Sequence, residues 1–144
     1  MAVTFTNNFK NILDKLESVI KTEFKGALPT CVGYDKMHGS QYLRIVPESS
    51  SLLTLMTDSE ERQYNIKLIY YFDEKMINTK TIDHILRYTS RIEALIHDNV
   101  IMTLSDSTTA LNCKIQSTQI NAEQGDGIHT VEMEWQCSHV GNIG

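Results

Sequence analysis

A chain of 144 residues, 41% hydrophobic and 22% charged, is sized and composed for one globular domain, residues 1–144. No apolar run approaches the ~18 residues of a membrane-spanning helix, and the start MAVTFTNNFKNIL lacks the basic and apolar regions of a signal peptide, so folding in the cytoplasm is expected. The net charge is −5, and from Ser105 to Gly144 Lys114 alone opposes Asp106, Glu123, Asp126, Glu132 and Glu134, which excludes a protein that grips phosphate with clustered cations.

Phe5, Phe9, Ile12, Leu13, Leu16, Val19, Ile20 and Phe24 recur at three- and four-residue spacings, predicting an amphipathic helix from Thr6 to about Glu23. Thr6 or Asn7 can cap its start, Glu17 and Lys21 stand in the favourable i, i+4 order, and Gly26 and Pro29 end it. Cys31 to Tyr34 reads as a short strand, and Gln41 to Val46 as a second one closed by Pro47. Glu48 to Glu61 begins and ends polar but carries Leu52, Leu53, Leu55 and Met56 in its middle. It reads as a long loop or a bent strand extension, its leucines either tucked under the core or exposed as a contact surface.

QYNIKLIYYF, Gln63 to Phe72, is a strand. Tyr64, Ile66, Leu68, Tyr70 and Phe72 share one face, while Gln63, Asn65 and Lys67 give way to Ile69 and Tyr71 on the other. Either another layer of the chain or another subunit has to cover that second apolar patch. After DEKMINTK, Thr79 or Thr81 can cap a second helix running to about Asp98, with Ile82, Ile85, Leu86, Thr89, Ile92, Leu95 and Ile96 at helical spacing. On its outer face Arg87 and Arg91 are one turn apart, and Asp83 is placed to answer only Arg87, which leaves a solvated face or a carboxylate from elsewhere for Arg91. Val100 to Leu104 is a short strand. Leu111 to Ala122 and Ile128 to Val140 alternate around the turn signal QGDG as a hairpin, with Cys113 roughly opposite Cys137 on the inward face.

Chemistry is sparsely signalled. Cys31, Cys113 and Cys137 have no CxxC spacing and read as buried thiols, and the five histidines are too scattered to converge on a metal. Glu132 and Glu134 share a strand face about 7 Å apart, open to a paired-carboxylate reading or to a plain acidic stripe. Asp58, Glu60 and Glu61 lack the alternating oxygen ligands and glycine of a calcium loop. No catalytic, metal or cofactor residue is assigned.

The order of elements describes an α+β fold: a mixed, mostly antiparallel sheet, two amphipathic helices on one face, and a long C-terminal hairpin. With its opening helix FKNILDKLESVIKTEF, strand QYNIKLIYYF, helix TIDHILRYTSRIEALI and hairpin through VEMEWQC, the chain resembles the tail terminator and tail-completion proteins of long-tailed bacteriophages. The likeness is one of pattern and length over nearly the whole chain and carries no functional residue with it. It implies a virion protein, not an enzyme, assembled in the host cytoplasm as a homo-oligomeric ring, usually a hexamer. The ring caps the tail tube protein, presents a surface to the head-neck connector and passes DNA through its lumen without specific binding. Leu52, Leu53, Leu55, Met56, Ile69, Tyr71, Arg87 and Arg91 are the candidates for subunit or tube contact. Asp58, Glu60, Glu61, Asp126, Glu132 and Glu134 are the candidates for an acidic lumen that repels phosphate. Another neck, tail-tube or baseplate protein, or a small cytoplasmic α+β enzyme or ligand-binding domain, are the alternatives.

Overall fold

A computed structural model describes residues 6–33, 41–73, 81–122 and 128–142. The elements are α1 (Asn8–Phe24), β1 (Thr30–Val32), β2 (Gln41–Leu55), β3 (Ser59–Asp73), α2 (Thr81–Asp98), β4 (Met102–Thr103), β5 (Thr109–Ala122) and β6 (Ile128–Asn142). They form one six-stranded sheet in the order β1-β2-β3-β6-β5-β4. Among the described residues only β1 runs parallel to its neighbour, so the sheet is mixed and mostly antiparallel, with a C-terminal hairpin of β5 and β6. No helix among the described residues is long and apolar enough to cross a membrane.

The core lies between the helices and one sheet face. Ile12, Leu16, Ile20 and Phe24 of α1 and Ile85, Ile92 and Ile96 of α2 pack on Tyr64, Ile66, Leu68, Tyr70 and Phe72 of β3 and Val131, Met133, Trp135 and Cys137 of β6. Burying each large aliphatic side chain is worth about 1.5–3 kcal/mol, and the alternation of the two long central strands supplies the sheet's half of that interface. The buried stripe of α2 steps through 85, 89, 92 and 96, so Ile82 and Leu86, placed on the core stripe by spacing alone, stand exposed at its margin. Gln41 ties β2 to β3, α2 and the connection after α1: its Oε1 accepts from the Tyr70 hydroxyl (2.6 Å) and from His84 Nε2 (2.9 Å), and its Nε2 donates to the Ala27 carbonyl (3.1 Å).

Two local expectations change. Asn7 caps α1 through Lys10 N–H as foreseen, but the chain turns at Lys25, whose φ is 53° and ψ −123°, ahead of Gly26. Pro47 does not close β2. The strand runs on to Leu55 past a bulge between Pro47 and Ser49, because there it has a ladder partner only on the β3 side and a proline costs an edge strand no inter-strand hydrogen bond. The segment 48–61 is therefore the strand-extension alternative, a hairpin whose tip is closed by Met56 N–H donating to the Ser59 carbonyl. Cys113 and Cys137 are buried, unbridged neighbours; the Cys113 thiol donates to the Ala110 carbonyl at 3.6 Å, and the closeness of the two thiols together with burial pushes Cys137 up.

Candidate assembly surfaces

The sheet face turned away from the helices is built by the odd positions of β3 and the even positions of β6. Gln63, Asn65, Lys67, Ile69 and Tyr71 stand opposite Ser138, Gln136, Glu134, Glu132 and Thr130. Amide side chains bridge across it. Gln63 Nε2 donates to Asn65 Oδ1 (3.2 Å) and Gln136 Oε1 (3.3 Å), Gln136 Nε2 to Gln116 Oε1 (3.3 Å), and Asn65 Nδ2 to Ser49 Oγ (3.0 Å).

At the centre Lys67 Nζ lies 3.8 Å from Glu48, 3.9 Å from Glu132 and 3.8 Å from Glu134. One ammonium among three carboxylates leaves the cluster acidic, and the Glu134 carboxyl is pushed up, first by a hydrogen bond with Glu48, then by burial and the Glu48 charge. Glu132 and Glu134 thus belong to one cluster. Glu48 and Lys67 complete it and were not singled out by sequence, because only the β2–β3–β6 register brings positions 48, 67, 132 and 134 together.

The apolar part of this face is smaller than the strand pattern suggests. Ile69 is only 6% exposed and so is already covered within the subunit. Tyr71 stacks on Tyr42 with ring centres 4.8 Å apart, and the Arg44 guanidinium sits 5.4 Å and 5.8 Å from the two ring centroids. Arg44 is held in turn by the Gly33 carbonyl at 3.2 Å.

The β2–β3 tip is the main exposed apolar feature. Leu52, Leu53, Leu55 and Met56 are all exposed, Leu55 by 66%. Leu53, Glu61, Gln63, Lys114, Gln136 and Ser138 border a shallow hollow of about 200 Å³ on the outer face. A second hollow of about 290 Å³ lies between Asn11, Asp14, Lys15 and Ser18 of α1 and residues 103–105. Both fall below the ~300–1,000 Å³ usual for ligand pockets. Asp58 is exposed at the bend. Glu60 is paired with Arg62 at 2.8 Å, while Glu61 shares the outer face with Gln63. Asp126 lies outside the described residues.

Arg87 is exposed and makes no ion pair among the described residues, so Asp83 does not close on it. Arg91 finds its carboxylate inside the chain: its guanidinium reaches Glu23 Oε1 at 3.2 Å and lies 4.4 Å over the Phe24 ring, locking α2 to the end of α1. Ile82, Leu86, Val100 and Ile101 are further exposed apolar residues; the first two read as core by spacing. Among the described residues no three His, Cys, Asp or Glu side chains are arranged to hold a metal ion.

No protein-family model and no curated protein matches the chain. Solved structures share its fold. One, described as the virion of a native gene transfer agent particle, is 8% identical and superposes with a TM-score of 0.63 over 95% of this chain and 100% of the other. A second is 16% identical, with a TM-score of 0.61 over 96% and 97%.

Proposed function

We propose that the chain is a structural component of a virion, and within that class a tail terminator: a ring, usually of six copies, that ends the tail tube and offers its far side to the head-neck connector. The observation that carries this reading is the match, over 95% of its length, to a chain from a virion particle. The surface features agree with it. A virion subunit needs exposed contact surface in place of a pocket, and the described hollows are small while the β2–β3 tip displays four exposed apolar side chains.

In this reading the outer sheet face lines the DNA path. Glu48, Glu61, Glu132 and Glu134 outnumber Arg44, Lys67 and Lys114 on it, and a face that is mildly acidic and richly supplied with amides lets phosphate pass without holding it. The hairpin tip and the Tyr42–Tyr71 patch supply contacts to neighbours. Ile69, covered at home, stands opposite Arg44 in the ladder beside this patch.

Polymerisation of tail-tube protein in the presence of the chain tests this reading. Tubes are expected to stop growing and keep a constant length once the chain is added. Unchanged growth, with the chain left in the supernatant after sedimentation, would count against it. The alternative of a small enzyme makes Glu132 and Glu134 the groups to change, and turnover lost in Glu134→Gln would favour it.

A further inference from the structure

The two outermost long strands have unequal cover. Among the described residues β1 pairs with β2 only from Leu43 to Ile45, and β4 pairs with β5 only at Thr109 and Ala110, with Cys113 N–H donating to the Val100 carbonyl just beyond. This leaves Val46–Leu55 on one side of the sheet and Lys114–Ala122 on the other with a ladder partner on one side only. Such edges are usually guarded by charge, proline or bulges. Pro47 and a bulge guard the start of the first, but Ser49 to Thr57 carries no charge, and neither does Ile115 to Ala122.

We propose that these two edges join between copies, β2 of one subunit pairing antiparallel with β5 of the next. This deepens the ring reading above and rests on it. The directions fit. In the order β2-β3-β6-β5 every neighbour is antiparallel, so β2 and β5 of one copy point oppositely, and a second copy set beside the first in the same orientation presents β5 antiparallel to β2. The two edges are different surfaces at opposite ends of the sheet, so the contact is head-to-tail, the kind that closes into rings.

The same geometry fixes the offset. Ser117 lies in the row of Glu134, Lys67 and Val46, and Ile120 in the row of Val131, Tyr70 and Leu43. A second copy placed without offset would drive its Thr118–Ala122 into β1. Sliding it toward the hairpin tip until Asn121 meets Val46, the first residue past β1, sets Ser117 opposite Ser51, and both of these belong to the outer face. Lys114, the one cation of that edge, then reaches Thr54, which pairs with Glu61 at the acidic tip. The exposed Leu55 comes to the level where Val100 and Ile101 of the second copy are exposed, Ile101 by 63%. Strand offset of this kind accompanies the tilt that closed sheets require.

Cross-linking tests the register. In a Cys31→Ser background, Ser51→Cys and Ser117→Cys are made singly and together and treated with a short bismaleimide at high protein concentration. Dimers are expected when the two single variants are mixed, a ladder from the double variant, and neither from a single variant alone. Links formed by one single variant with itself would overturn the proposal by showing a symmetric edge pairing. Oligomers by mass photometry without the Ser51–Ser117 link would overturn it and leave the ring standing. The absence of both would overturn it and leave the ring to the tube assay.

Discussion

The Arg91 guanidinium lies over the Phe24 ring, 4.4 Å from its centroid, while reaching Glu23 at 3.2 Å, so one side chain joins the C-terminal end of α1 to the middle of α2. Both ends of the ion pair are substantially exposed, which keeps its Coulomb term small, and the stacked face adds a cation–π term. Arg91→Ala is expected to lower stability by about 1 kcal/mol and Arg87→Ala by less than about 0.5 kcal/mol, read from midpoints of urea unfolding. Equal losses would mean the helix clamp contributes nothing.

His139 provides a pH dependence. Thr108 donates its hydroxyl proton to Asp106 and therefore accepts from His139 Nε2–H at 2.7 Å, which places the neutral ring's proton on Nε2. Burial holds His139 below the ordinary histidine range despite the nearby Asp106 charge. The unfolded chain takes up this proton near pH 6.5 while the folded chain resists it, so stability is lost as pH falls below about 6.5. His84 is shifted in the same direction by burial and by Arg87. His139→Gln is expected to shrink the acid slope of the thermal midpoint without removing it; an unchanged slope would contradict the assignment.

Lys25 ends α1 with positive φ and ψ near −123°, a region that L side chains avoid. Lys25→Gly is expected to raise stability by about 1 kcal/mol, although glycine also gains entropy in the unfolded chain. Gly26→Ala, where an added Cβ meets nothing within 4 Å, is the control for glycine loss at a neighbouring site. A lower midpoint for Lys25→Gly would contradict the assigned backbone.

Glu134 is held above its ordinary range in the fold, so its charged form is disfavoured there, and stability is gained as pH falls through the folded value. Glu134→Gln is expected to stabilise the subunit at pH 7 by about 0.5 kcal/mol, in keeping with partly exposed charges. The difference should fade near pH 4. Destabilisation at pH 7 would show that the Lys67 contact outweighs the repulsion from Glu48.

Much of this architecture is legible in the sequence because each long element carries its own period. Tyr64 to Leu68 and Val131 to Cys137 alternate without interruption, and Ile12, Leu16 and Ile20 mark a helix stripe, so strands, helices and the inward pairing of Cys113 with Cys137 follow locally. The phase of α2 was less legible, since Ile82 and Leu86 fit the spacing but fall just outside the contact arc. Past Pro47 the chain is a strand because of its pairing with β3, and that information sits in residues 59–66. The same is true of the outer face. Glu48 and Lys67 join Glu132 and Glu134 only through a three-strand register, and the carboxylate for Arg91 comes from a helix 68 positions away.

The most direct test of the central claim is electron microscopy of tail-tube ends after incubation with the chain. The expected image is a single closed ring seated on one end of each tube, its copies joined side by side. Bare tube ends, or the chain bound along the tube wall in place of the end, would contradict the terminator reading.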